Sequence, residues 1–126
     1  MKLVTKILGI MEGGEIFVPK MSSLRIEDVM RELAPKCKIQ VIGIRPGEKL
    51  HEQMIGAEDS YFTYEYPEHF KILPNINDWG TCESRIKDGK KVPEGFIYSS
   101  DNNSEWMTDK ELQAWIDRHN NEIGKI

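Results

Sequence analysis

Apolar residues recur at helical spacing at Leu3, Val4, Ile7, Leu8 and Met11, with Lys2, Thr5 and Lys6 on the other side and Gly13-Gly14 as a stop. The chain is therefore predicted to open with an amphipathic helix. Ile16, Phe17 and Val18 follow as a continuous apolar run closed by Pro19, the pattern of a strand buried on both faces and in need of neighbours. A second helix is expected from Ser23 as N-cap, the early acids Glu27 and Asp28, and Ile26, Val29, Met30 and Leu33 at helical steps, ending at Pro35. Lys38 to Ile44 carries four β-branched residues, Ile39, Val41, Ile42 and Ile44, and reads as a strand running into a Pro46-Gly47 turn.

Beyond that turn the period weakens. Leu50, Met54 and Ile55 fit one side of a short helix or an irregular strand equally well, whereas Tyr66 to Leu73 reads as a strand with Tyr66, Phe70 and Ile72 in phase. Pro74 to Asn103 is rich in breakers and reads as loop, apart from Phe96 to Tyr98. The last helix is the best signposted: Thr108 and Glu111 form a capping box, Met107 and Leu112 its staple, and Leu112, Trp115 and Ile116 the expected buried stripe. Alternating helices and strands followed by a less regular half imply an α/β or α+β fold, one small domain over residues 1–126.

Composition narrows the function classes. Among 126 residues, 17 Lys plus Arg stand against 21 Asp plus Glu, a net charge of −4 that argues against nucleic acid as partner. No stretch approaches the roughly 20 apolar residues of a membrane span, and Lys2, Thr5 and Lys6 interrupt the start too soon for a signal peptide, so the expected address is the cytoplasm. Cys37 and Cys82 fit neither a disulfide framework nor zinc-ligand spacing and read as free thiols. His51, His69 and His119 are not spaced as metal ligands, and no metal is expected. The adjacent acids Glu27-Asp28 and Glu58-Asp59 read as solvated or first-turn carboxylates.

The locally basic stretch is the informative one. Lys36, Lys38, Arg45 and Lys49 fall within 14 residues that contain a single acid, Glu48. At the end of a predicted strand, Arg45 offers a planar fork of donors suited to two phosphate oxygens, Pro46 stiffens the turn, and Gly47 allows close backbone approach. Glu48 is an acceptor suited to paired hydroxyls such as those of ribose. The same four residues also fit a solvated turn in which Arg45 pairs with a neighbouring acid.

Gly14 to Lys20 (GEIFVPK), Ile42 to Glu52 (IGIRPGEKLHE) and Tyr98 to Asn103 (YSSDNN) with Trp106 following occur in one order along the chain. Together they resemble the C-terminal part of the inverting UDP-N-acetylglucosamine 4,6-dehydratases, extended short-chain dehydrogenase/reductases of polysaccharide and flagellin-glycan biosynthesis. The resemblance implies that Arg45 holds the UDP diphosphate and Glu48 a ribose hydroxyl, with Gly47, Lys49 and Lys20 as further substrate-binding residues. It also implies a lyase that uses NADP and a cytoplasmic homo-oligomer. Where the family has Pro before the Ser that opens the second helix, Met21-Ser22-Ser23 stands here, which loosens the loop after Lys20.

The family's glycine-rich dinucleotide turn and Tyr-x-x-x-Lys pair have no match. Four positions after Tyr61, Tyr64, Tyr66 and Tyr98 stand Glu65, Glu68, Phe70 and Asn102, and the one glycine pair follows a helix. No catalytic residue and no cofactor are therefore expected in this chain. The leading expectation is the UDP-holding portion of a dehydratase or epimerase, completed by a Rossmann-domain partner chain. The alternatives are a stand-alone UDP-sugar-binding module, or a structural assembly module that self-associates through the apolar strand Ile16 to Val18.

Overall fold

The computed structural model describes residues 2–76 and 83–123. Trp79 and Cys82 lie outside the described residues. The rest divides into two compact units, one combining the chain up to Met21 with Gln53–Asn102, the other combining Ser22–Glu52 with the chain from Asn103 onward.

The first unit opens with helix α1, Lys2–Leu8, as its period requires, and continues into strand β1, Ile16–Pro19. Strand β2 is Gln53–Ile55, which settles that ambiguous stretch as irregular strand. A 3-10 turn, Glu58–Phe62, leads into β3, Thr63–Glu65, and then β4, His69–Ile72. Within the stretch expected to be loop lie helix α3, Glu83–Ile86, and strand β5, Lys90–Lys91, while strand β6, Tyr98–Ser99, begins at the end of the excepted segment Phe96 to Tyr98. The main sheet has the order β1-β4-β3-β5 and every pairing in it is antiparallel. A second, two-stranded sheet pairs β2 with β6.

This topology corrects the reading of β1. It is an antiparallel edge strand with Ile16 exposed, and the strand buried on both faces is β4. Side chains alternate across a sheet, so His69 and Lys71 share one face of β4 while Phe70 and Ile72 share the other. Phe70 and Ile72 join Val18, Ile55 and Val92 in the core, with Phe62, Phe96 and Tyr98 packed against them. The opposite face carries aromatic rings, where the Lys71 ammonium lies 5.7 Å from the Phe17 ring centroid and 5.3 Å from that of Tyr66. Lys71 Nζ donates to the Arg85 carbonyl, and the Arg85 guanidinium in turn reaches the Gly13 carbonyl at 3.0 Å and the buried Glu15 carboxylate at 3.3 Å. These bonds join α3 to the α1–β1 connection.

The second unit holds helix α2, Ile26–Leu33, and helix α4, Asp109–Ile123, in contact with each other. Arg25, not Ser23, stands at the start of α2 and makes no side-chain cap. Ser23 bridges instead to Trp106: its N–H donates to the Glu105 carbonyl at 2.8 Å, and its carbonyl accepts from the Met107 N–H at 2.9 Å. The Trp106 indole N–H donates to the Asn103 carbonyl, so this ring fixes the approach to α4. At α4 the capping box forms as expected, with the Glu111 carboxylate accepting from both the N–H and the hydroxyl of Thr108 at 2.8 Å. Leu112 is buried, but Trp115 is exposed and stacks on His119, so the expected stripe is narrower than the sequence suggests. The helix continues to Ile123, which places His119 before its last turn.

No strand forms over Lys38 to Ile44. A strand exists only by pairing, and among the described residues nothing pairs with this segment, which leaves Val41 83% exposed.

Candidate functional site

The turn expected after Ile44 is present in the second unit, within the irregular connection that follows α2. The Arg45 carbonyl accepts from the Glu48 N–H at 3.1 Å, which closes a four-residue turn with Pro46 and Gly47 at its centre. Gly47 has φ 86°, the value that the third position of a type II turn demands, and Pro46 supplies the fixed φ favoured at the second. A Cβ at Gly47 would meet nothing within 4 Å among the described residues, and its positive φ is what calls for glycine there.

Glu48 folds back over its own turn. One carboxylate oxygen accepts from the Arg45 N–H at 3.0 Å, and the other lies 3.9 Å from the Arg45 guanidinium. That pairing is long and solvated, and an exposed ion pair of this kind contributes little. The Arg45 side chain is 71% exposed, so its fork of N–H donors remains open to a ligand. Lys49, Lys36, Lys38 and His51 are exposed along the same connection. Arg45, Gly47 and Glu48 thus share one turn, and Lys49 follows it directly in the chain.

Lys20 belongs to the first unit. It follows β1 and its N–H donates to the Glu68 carbonyl at 3.0 Å. Its ammonium lies 5.1 Å from the centroid of the Phe70 ring and binds the Glu65 carboxylate of β3 at 2.7 Å. Lys20 lines a cleft of about 460 Å³ together with Leu3, Lys6, Pro19 and Glu68. Glu65 and Glu68 were not singled out from sequence, because their meeting with Lys20 and Lys6 depends on the order β1-β4-β3 and on where α1 lies, neither of which is a local signal.

The described residues do not fit a dinucleotide cofactor. The glycine pair, Gly13 at φ 109° and Gly14 at φ 81°, lies between a helix and a strand, the reverse of the strand-to-helix turn that cradles a pyrophosphate. The two described connections that run from a strand to a long helix, β1 to α2 and β6 to α4, contain no glycine. Among the described residues, no group of three or more His, Cys, Asp and Glu side chains is placed to hold a metal, and no helix is long and apolar enough to cross a membrane.

Residues 1–74 match the model of a family described as polysaccharide biosynthesis protein. Over 108 residues the chain is 47% identical to a UDP-N-acetylglucosamine 4,6-dehydratase (inverting) of Campylobacter jejuni serotype O:2, and 45% identical to the protein of the same name from serotype O:23/36. Each match covers 81% of this chain and 32% of the relative, so the chain spans about a third of the length of the curated relatives it matches. Among solved structures, that of Pen from Bacillus thuringiensis superposes with a TM-score of 0.72, covering 94% of this chain and 36% of that one at 24% identity. The last comparison bears on the fold alone.

Proposed function

This chain belongs to the polysaccharide biosynthesis protein family, and we propose that within it the chain binds the UDP part of a UDP-sugar as the C-terminal portion of a 4,6-dehydratase or epimerase. The observation that carries this reading is the Arg45 guanidinium, held at a rigid type II turn yet joined only loosely to Glu48. A guanidinium so placed can turn both of its parallel N–H donors to a diphosphate without breaking a strong bond. Gly47 lets the backbone approach, Lys49 adds positive charge beside the turn, and Glu48 keeps acceptor capacity for a ribose hydroxyl. Lys20 is read as a substrate contact of the other unit.

Holding the non-reacting nucleotide is how an enzyme of this kind gains the binding energy to orient the sugar. Cofactor binding and the acid–base groups belong, in this reading, to a separate Rossmann-type domain in the cytoplasm. Calorimetry with UDP tests it. Arg45→Ala is expected to weaken binding by about 1.5 to 3 kcal/mol, the range for a hydrogen bond to a charged group, and Arg45→Lys by nearly as much, because an ammonium cannot form the fork. Equal affinity in all three proteins removes Arg45 from the site.

A further inference from the structure

We propose that His69 is an acid-sensitive latch for helix α1: proton uptake by its buried imidazole releases α1 from the first unit while the four-stranded sheet stays paired.

The surroundings of the ring leave a charge on it no support. The side chain is buried, and among the described residues neither nitrogen has a hydrogen-bond partner, so an imidazolium would hold two N–H donors without an acceptor. Tyr66 is stacked on the ring and Phe17 stands 5.6 Å from it, but the Lys71 ammonium already lies over both of those aromatic rings. The charged groups that act on His69 are Lys6 of α1, Lys20 after β1 and Lys71 on β4 itself, against the single carboxylate of Glu68. That carboxylate is taken by Lys6. Proton uptake therefore makes a fourth cation beside one engaged anion, and a covering element has to move for it to be solvated.

The covering elements differ in how firmly they are held. β1 is fixed by its ladder to β4, in which Pro19 is opposite His69. Tyr66 donates its N–H to the His69 carbonyl at 2.9 Å and its hydroxyl to the Ile86 carbonyl. α1 is tied by the Lys6–Glu68 pair, whose side chains are 56% and 64% exposed, and an ion pair so solvated holds weakly. Leu3 and Lys6 meet Pro19 only across an open cleft, and Val4 and Leu8 are exposed. Departure of α1 also answers the charge: it removes Lys6 and frees the Glu68 carboxylate to accept from the imidazolium. The cleft beside Lys20 is thus present at neutral pH and dismantled in acid, independently of the Arg45 turn.

The test is hydrogen exchange of the full chain at single amides, at pH 7.5 and 5.5, with rates corrected for the intrinsic effect of pH. The amides of Gly9, Ile10 and Met11, bonded to the Lys6 and Ile7 carbonyls, report α1; those of Leu73 and Val92, bonded to Phe62 and Thr63, report the sheet. Protection at α1 is expected to fall about threefold to tenfold in acid, the ceiling for one proton at one pH unit below the free value of about 6.5, with the sheet changing less than about twofold. His69→Phe is expected to abolish the response at α1. Should that variant not fold, the imidazole Cε1–H resonance of the unaltered chain is titrated, and its midpoint is expected to coincide with the loss of α1 protection. Loss of protection at α1 and sheet together, no response at α1, an equal response in His69→Phe, or a His69 midpoint more than about one pH unit from the α1 transition would each overturn the proposal.

Discussion

The imidazole of His69 lies flat on the phenol ring of Tyr66, with centroids 4.8 Å apart and planes within 4°. It is 4% exposed, and neither ring nitrogen has a hydrogen-bond partner among the described residues. Burial, reinforced by the charges of Lys6, Lys71 and Lys20 against the single opposing charge of Glu68, holds its pKa below the usual histidine value. The unfolded chain therefore takes up this proton more readily than the folded one. Stability is complete above about pH 6.5, the unfolded value, and is lost as the pH falls from there through the folded value. Urea unfolding at pH 7.5 and 5.5 is expected to show a lower midpoint in acid, and His69→Phe, which keeps the stack without a titrating group, to reduce that difference. An equal drop in both proteins assigns the acid sensitivity to other groups.

The same ring leaves no room at Gly89. A Cβ there would stand 2.5 Å from Cζ and Oη of Tyr66, while the Tyr66 hydroxyl donates to the Ile86 carbonyl and its face is taken by His69. With the ring pinned on two sides, Gly89→Ala is expected to destabilise by about 1 to 3 kcal/mol, the usual cost of overpacking. Chemical denaturation measures it, and a change under about 0.5 kcal/mol, the scale of an ordinary surface substitution, would show that the ring yields.

At the start of α4 the Thr108 hydroxyl accepts from the Glu111 N–H at 3.4 Å and donates to the Glu111 carboxylate, whose acidity is increased by the N–H and hydroxyl of Thr108. Thr108→Ala removes the hydroxyl and is expected to cost about 1 kcal/mol, read as a lower helix signal on heating, while Thr108→Ser keeps most of the stability.

Local signals were legible and non-local ones were not. α1, α2 and α4 follow from residues three and four apart, and the capping box from two residues in one turn. β3 and β5 are two or three residues long and exist because Glu65 pairs with Phe70 on one side and Lys90 on the other, a fact no short window contains. Lys38 to Ile44 errs the other way: its β-branched residues state a preference for extended backbone, but preference without a neighbour makes no ladder. Ser23 resembles a cap because it precedes a helix, and its backbone is instead engaged by Glu105 and Met107, 82 and 84 residues on in the chain. At the candidate site, the Arg45 to Glu48 turn was readable because Pro and Gly set it locally, whereas the partners of Lys20 waited on the sheet order.

The central claim concerns where UDP sits, and the most direct measurement is a UDP titration of the isotope-labelled chain followed at every backbone amide. The account predicts saturable shifts concentrated at Arg45, Gly47, Glu48 and Lys49 that vanish in Arg45→Ala. Saturable binding with those four amides unmoved, or no binding at all, would contradict it.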